Sequence, residues 1–307
     1  MGNLLRGMRR LPAMVLASIL TLGMSAQALA LPVGTEEELQ QAEEEALRNP
    51  PTWDELFAAT VDFTAIIALS NCSGSLVRFK SSRTSDYAMV LTNGHCIGGG
   101  FIKSGDARVN VATTRTFNLL PSSGSGTLGT LRASTLMYAT MSGTDMALYR
   151  LTSTYAQIAA RYGVAPLTIT DTHPAAGTSI RVVSGFWRRL YSCSIAKFVP
   201  ELREGSWTWQ DSIRYTQPGC EVIGGTSGSP IISADSREVI GINNTGNESG
   251  GRCTVNNPCE VDSMGNVTFE KGASYGQQIY QIYNCVDDVG RFNLNQAGCG
   301  LQKPATP

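Results

Sequence analysis

From about residue 64 the chain repeats one texture: short runs of apolar and β-branched residues separated by clusters of Gly, Ser, Asn and Asp. Thr64–Leu69, Ser75–Phe79, Ala88–Thr92, Met146–Leu151 and Ser179–Val183 are such runs. Their length suits strands, and their regular spacing predicts an all-β sandwich or barrel. Roughly 230 residues of this kind can bury two small cores. The preceding segment differs. Thr35-Glu36-Glu37-Glu38 is a capping box, in which a threonine caps a helix and a glutamate three residues on reaches back. It predicts a helix to about Arg48, stopped by Asn49-Pro50-Pro51. Thr52-Trp53-Asp54-Glu55 repeats the signature and predicts a second short helix through about Ala59. Near the other end, Gly276–Tyr283 reads as a short C-terminal helix.

The extreme N-terminus is a targeting segment. Arg6, Arg9 and Arg10 precede an apolar stretch from Leu11 to Met24, and Ala28-Leu29-Ala30 supplies the small residues that a signal peptidase reads. The stretch is shorter than the roughly 20 residues a spanning helix needs. Residues 1–30 are therefore read as a signal peptide, and the remainder as secreted or periplasmic and off the membrane. Eight cysteines agree with an oxidising compartment. There is no Cys-x-x-Cys pair, and the histidines are His95 and His173, so neither a metal site nor another cofactor is expected. His173 sits in a polar, turn-like run and reads as a surface residue. The formal charge is −1. It hides three arginines in the signal and six glutamates between residues 31 and 50, which leave a near-neutral body. With no basic stripe, a nucleic-acid partner is not expected, whereas a polypeptide partner is compatible. A single copy of the chain is the expected state.

The chemistry concentrates at three places. Gly224-Gly225-Thr226-Ser227-Gly228-Ser229-Pro230 puts a serine on a glycine-flanked turn just ahead of the apolar pair Ile231-Ile232. Such a turn can push a hydroxyl outward while aiming backbone N–H groups at one point, which nucleophilic acyl transfer requires. Asn93-Gly94-His95-Cys96 follows an apolar strand, and Thr144-Asp145 precedes another. A histidine, an aspartate and a serine so placed are the parts of a hydrolytic triad, and their order separates the chain from the subtilisin and α/β-hydrolase orders. Leu91–Cys96, Thr144–Leu148 and Gly225–Pro230 match the histidine, aspartate and serine motifs of the chymotrypsin-like (trypsin-fold) serine proteases. The chain resembles that family from about residue 60 to 285.

The resemblance implies two six-stranded antiparallel β-barrels, at about 61–160 and 161–285, with the active site in the cleft between them. The crossing would fall near 155–175, and a disulfide-stapled tail would occupy 286–307. Ser227 would be the nucleophile, His95 the base and Asp145 its orienting partner, with the N–H groups of Gly225 and Ser227 as the oxyanion hole. It also implies a Cys72–Cys96 disulfide, worth roughly 3 kcal/mol in the chain-entropy model. Eight cysteines allow about 105 connectivities; order and proximity suggest Cys193–Cys220, Cys253–Cys259 and Cys285–Cys299. Thr226 stands where digestive relatives carry an aspartate that pairs with a freed N-terminus, so that pair cannot form. Residues 31–60 look like a propeptide removed on activation or a permanent helical arm. At the base of the primary pocket the family position is Glu221, which would favour Lys or Arg in the substrate or else point to solvent. Glutamyl-specific relatives would carry a histidine where Asn243 stands. Asn243, Asn244 and Gly246 lie on the edge that would pair with substrate backbone.

These expectations converge on a secreted serine endopeptidase acting through an acyl-enzyme. Two alternatives stay open: a catalytically silent binding protein on the same scaffold, and a narrow processing protease or esterase.

Overall fold

The computed structural model describes residues 35–50, 63–287 and 291–305. The expected signal peptide and second helix fall outside them. Sixteen strands follow in chain order: β1 (Ile66–Ala68), β2 (Ser73–Arg78), β3 (Tyr87–Thr92), β4 (Ala107–Ala112), β5 (Thr116–Leu119), β6 (Gly129–Thr140), β7 (Met146–Thr154), β8 (Leu167–Ile169), β9 (Ser179–Ser184), β10 (Arg189–Glu204), β11 (Trp207–Tyr215), β12 (Pro230–Ser233), β13 (Glu238–Gly246), β14 (Cys259–Val261), β15 (Val267–Thr268) and β16 (Ser274–Gln278). Two closed circuits emerge from their pairing. β1-β5-β6-β7-β3-β2 returns to β1, and β13-β12-β9-β10-β11-β16 returns to β13. Each is a six-stranded antiparallel barrel.

β8 joins the two barrels, pairing in parallel with β2 on one side and β13 on the other. The larger core cluster also crosses between them. Leu76, Leu91, Tyr138 and Leu148 of the first barrel pack in it with Val183, Val239 and Ile242 of the second.

Helix α1 (Glu36–Arg48) carries the expected capping box: Glu38 N donates to Thr35 Oγ1 at 3.3 Å, and Thr35 N to Glu38 Oε2 at 2.6 Å. Leu39, Ala42, Glu43 and Ala46 form its half-buried to buried stripe, at the spacing of one helical face. That face packs on a second helix, α2 (Tyr155–Tyr162). Arg161 of α2 forms ion pairs with Glu36 and Glu43.

One local expectation gains detail and another is corrected. The connection expected near 155–175 begins with α2, capped by the box Thr154/Gln157 and ended by Gly163 in the left-handed conformation. The helix expected over 276–283 is instead the end of β16 followed by a six-residue 3-10 turn, Tyr280–Cys285. Pairing with β13 and β11 closes the second barrel and takes these backbone groups from any helix. The four disulfides are Cys72–Cys96, Cys193–Cys220, Cys253–Cys259 and Cys285–Cys299.

Candidate active site

Ser227 lies on the second of two consecutive turns. In the first, Thr226 N donates to Ile223 O at 3.0 Å and Gly225, in third position, has φ +88°. A positive φ there marks a type II turn, which glycine adopts without strain. In the second, Ser229 N donates to Thr226 O at 3.1 Å and Gly228 has φ +79°. A Cβ on Gly228 would also stand 2.2 Å from Ser73 O, so no other residue fits. Both barrels hold this loop. Ser73 N of β2 donates to Ser227 O at 2.7 Å, and Gly228 N donates to Asn243 O of β13 at 3.0 Å. The N–H groups of Thr226, Gly228 and Ser229 are thus engaged. Those of Gly225 and Ser227 have no acceptor among the described residues.

β3 runs into a 3-10 turn, Gly94–Cys96, that carries His95. The Cys72–Cys96 disulfide ties this turn to β2. Asp145 precedes β7 and is fully buried. Its Oδ2 lies 2.7 Å from His95 Nδ1, and its Oδ1 accepts His95 N at 3.1 Å. Asn93 Nδ2 donates to Asp145 O at 2.7 Å, which fixes the aspartate's backbone. An imidazole held this way carries its proton on Nδ1 and keeps the Nε2 lone pair free. Burial alone would lower the His95 pKa. The charge and hydrogen bond of Asp145, with help from the Glu204 charge, outweigh it and raise the value above that of a free histidine.

His95, Asp145 and Ser227 line one cleft, together with Asn243, Asn244, Thr245 and Gly246 of β13. Ser227 Oγ donates to Asn244 O at 3.2 Å. The Asn243 side chain is buried, and its Oδ1 accepts the Tyr215 hydroxyl at 3.0 Å. The Asn244 amide is buried, and among the described residues neither of its atoms has a hydrogen-bond partner. From Asn244 to Gly246 β13 pairs with β16 on one side, and no described strand covers the other. Thr226 is fully buried with an unpartnered hydroxyl, so this position holds no ion pair.

Glu221 is exposed and stands outside the residues that line the cleft, although Val222, Ile223 and Gly224 line it. The expectation that Glu221 floors a pocket is corrected accordingly: the chain leaves Cys220 with this side chain toward solvent. Besides Asp145, two carboxylates line the cleft: the exposed Glu248 and the buried Glu204, at the end of β10, whose charge reaches His95. The β10–β11 hairpin reaches the first barrel, where Trp209 Nε1 donates to Met141 O at 3.0 Å and Trp207 Nε1 to Ile102 O at 2.8 Å. That docking brings Glu204 to the site. Its oxygens accept Thr245 Oγ1 at 2.6 Å and Asn256 N at 2.9 Å. Burial raises its pKa, against the effect of those two bonds and of His95. In sequence Glu204 is one of several charges at a hairpin tip, and nothing local distinguishes it.

Phe101, Ile223 and Val255 add a half-exposed apolar rim. Phe101 meets the His95 ring edge-on at 6.3 Å and the Trp207 ring at 5.4 Å. Among the described residues, the ligand-type atoms of Cys72, His95 and Cys96 lie within 4.8 Å of one another. Both sulfurs are locked in a disulfide and offer no thiolate. His173 is exposed, with Nε2 3.1 Å from Asp211 Oδ2.

No curated protein matches the sequence. Solved structures similar to it include the protease domain of MamO from Magnetospirillum magneticum (13% identity, 74% of this chain and 97% of that one, TM-score 0.45). A thermostable serine protease, AL20, from an extremophilic microorganism shows 16% identity over 71% of this chain and 92% of that one, at TM-score 0.41. The Nocardiopsis protease shows 14% identity over 72% and 93%, at TM-score 0.39. The sequence profile of the family described as a trypsin-like peptidase domain matches residues 72–242. That segment spans more than half of the 307 residues and runs through the turns that carry His95, Asp145 and Ser227; the chain belongs to the trypsin-like peptidase family.

Proposed function

We propose that the chain is a serine endopeptidase that works through Ser227, His95 and Asp145. The observation that carries this reading is the 2.7 Å contact of His95 Nδ1 with a fully buried Asp145, in the cleft that also holds Ser227. Ser227 Oγ, released from Asn244 O by rotation about χ1, attacks the scissile carbonyl. His95 Nε2 takes its proton and returns it to the leaving amine, while Asp145 holds the tautomer and stabilises the imidazolium. The oxyanion is received by the unused N–H groups of Gly225 and Ser227; each such donor is worth about 2.7–4 kcal/mol in the transition state. Substrate backbone adds as a strand along the open side of Asn244–Gly246.

The substrate is a polypeptide, and the cleft favours a Lys or Arg side chain. Glu204, rather than Glu221, supports that preference, because it lines the cleft, its charge reaches His95, and it makes no ion pair with Lys or Arg among the described residues. Four disulfides suit an oxidising compartment outside the cytoplasm; with the N-terminal targeting pattern, this supports export after removal of residues 1–30. The test is labelling with a fluorophosphonate, alongside a peptide-library digest. The wild type is expected to be labelled and to cleave, and Ser227→Ala to do neither. A folded wild type that is inert in both assays would instead identify a silent binding protein on this scaffold.

A further inference from the structure

We propose that Trp187 is a positioning residue that locks the oxyanion-binding peptide in its working orientation; this rests on the serine-peptidase reading above. The peptide between Gly224 and Gly225 is the centre of the Ile223–Thr226 turn. Type I and type II turns differ by a flip of that central peptide, and both keep the hydrogen bond that closes the turn. The Thr226 N to Ile223 O bond therefore leaves the flip open. With glycine at both central positions, the chain itself offers little preference. Which way the peptide faces decides function, because one orientation turns the Gly225 N–H into the cleft and the other turns the Gly224 carbonyl there.

Trp187 makes the choice. Its Nε1–H donates to Gly224 O at 2.7 Å. Gly224 lines the cleft and Trp187 does not, so the carbonyl points out of the cleft toward the indole. In a trans peptide the N–H lies opposite the C=O, so the Gly225 N–H faces inward, where it has no acceptor among the described residues. The indole is itself held: Trp187 N donates to Ser184 Oγ at 3.2 Å, and the ring packs edge-on against Phe186 at 4.9 Å. Phe186 N in turn donates to Ser73 Oγ at 3.1 Å, and that hydroxyl lies 3.4 Å from Gly225 O, the next carbonyl of the loop. A Cβ on Gly225 would stand 2.7 Å from Phe186 Cδ1 and 3.1 Å from Trp187 Nε1. The pair thus packs directly behind the turn. With Thr226 in place of an ionisable residue, no charge pair braces the loop from within. The indole braces it from outside.

The test removes the N–H, once with the bicyclic ring shape kept and once without it. Trp187→Phe, and 3-benzothienylalanine incorporated at position 187, in which sulfur replaces N–H, are compared with wild type on one peptide substrate. The expected result is a fall in kcat of about ten- to hundred-fold, bounded by the 10²–10³ that loss of a whole oxyanion donor costs. KM should stay within about twofold, and the fluorophosphonate labelling rate should fall in parallel with kcat. Packing loss alone would spare the benzothienyl variant, whose shape matches the indole; full kcat in that variant overturns the proposal. Crystal structures of both variants provide a readout independent of turnover. A Gly224 carbonyl rotated into the cleft supports the lock, and a peptide oriented as in the wild type overturns it. Should the wild type neither label nor cleave, the serine-peptidase reading fails, and the peptide orientation in the variants still decides the role of Trp187.

Discussion

At the residue scale the site is a balance of charges around one imidazole. Asp145 and Glu204 both raise the His95 pKa against burial, so the neutral base forms only above the pH at which a free histidine loses its proton. Activity is therefore expected to rise with pH through a value above about 6.5, read from the lower limb of the kcat/KM profile. Glu204→Gln removes one of those two negative charges, and should move that limb to lower pH. An unmoved limb would show that Glu204 does not reach the imidazole. The same variant should lose the preference for Lys and Arg in a peptide-library profile, whereas Glu221→Gln should leave it unchanged. A change with Glu221→Gln alone would return the pocket to the position expected from sequence. Asp145→Asn should lower kcat by about 10⁴, because the imidazole is then held in the wrong tautomer; steady-state kinetics with the fold checked by circular dichroism measures this.

At the scale of elements, the N-terminal helix has the sharper consequence. Glu36 and Glu43 of α1 reach Arg161 of α2, and no residue from 35 to 50 lines the cleft. We therefore read this part of the 31–60 segment as an arm docked on the first barrel, not as a plug over the site. Only Ala46 of α1 is fully buried, and partly exposed ion pairs contribute about 0–1 kcal/mol each. Deletion of residues 31–50 should thus leave kcat/KM within about twofold and cost a few degrees of Tm at most. A large gain in activity on deletion would identify an inhibitory propeptide. The helix over Glu36–Arg48 was visible in advance because its capping box is local. The signature of α2, Thr154 with Gln157 and then Gly163, is equally local, but the apolar run that continues from β7 into Tyr155 and Ile158 masks it, and the helix was not expected. The residues of β16 could not be assigned locally, since Ser274–Gln278 has no alternation and becomes a strand only when β11 and β13 flank it.

For the whole molecule, the prediction is cooperative unfolding. β8 pairs with a strand of each barrel, and the main core cluster draws residues from both. Heating should therefore give one transition, with coincident loss of near-UV dichroism and of fluorophosphonate labelling and equal calorimetric and van't Hoff enthalpies. Two separated transitions would mean that the shared core does not couple the barrels. The sequence by itself determined what depends on neighbours along the chain: the β texture, the capping box of the arm, and the turns that present His95, Asp145 and Ser227. Each of these is set by backbone conformation, local hydrogen bonds or strand period over a few residues. The tertiary structure alone decided which distant groups share the cleft. Glu204 enters it because a sixteen-residue strand carries the β10–β11 hairpin across to the first barrel. Trp187 comes to face Gly224 because β9, β10 and β12 lie side by side in the second barrel. Such contacts join residues tens of positions apart, and whether a carboxylate lines the cleft or points to water depends on how the strands close, which no local pattern encodes.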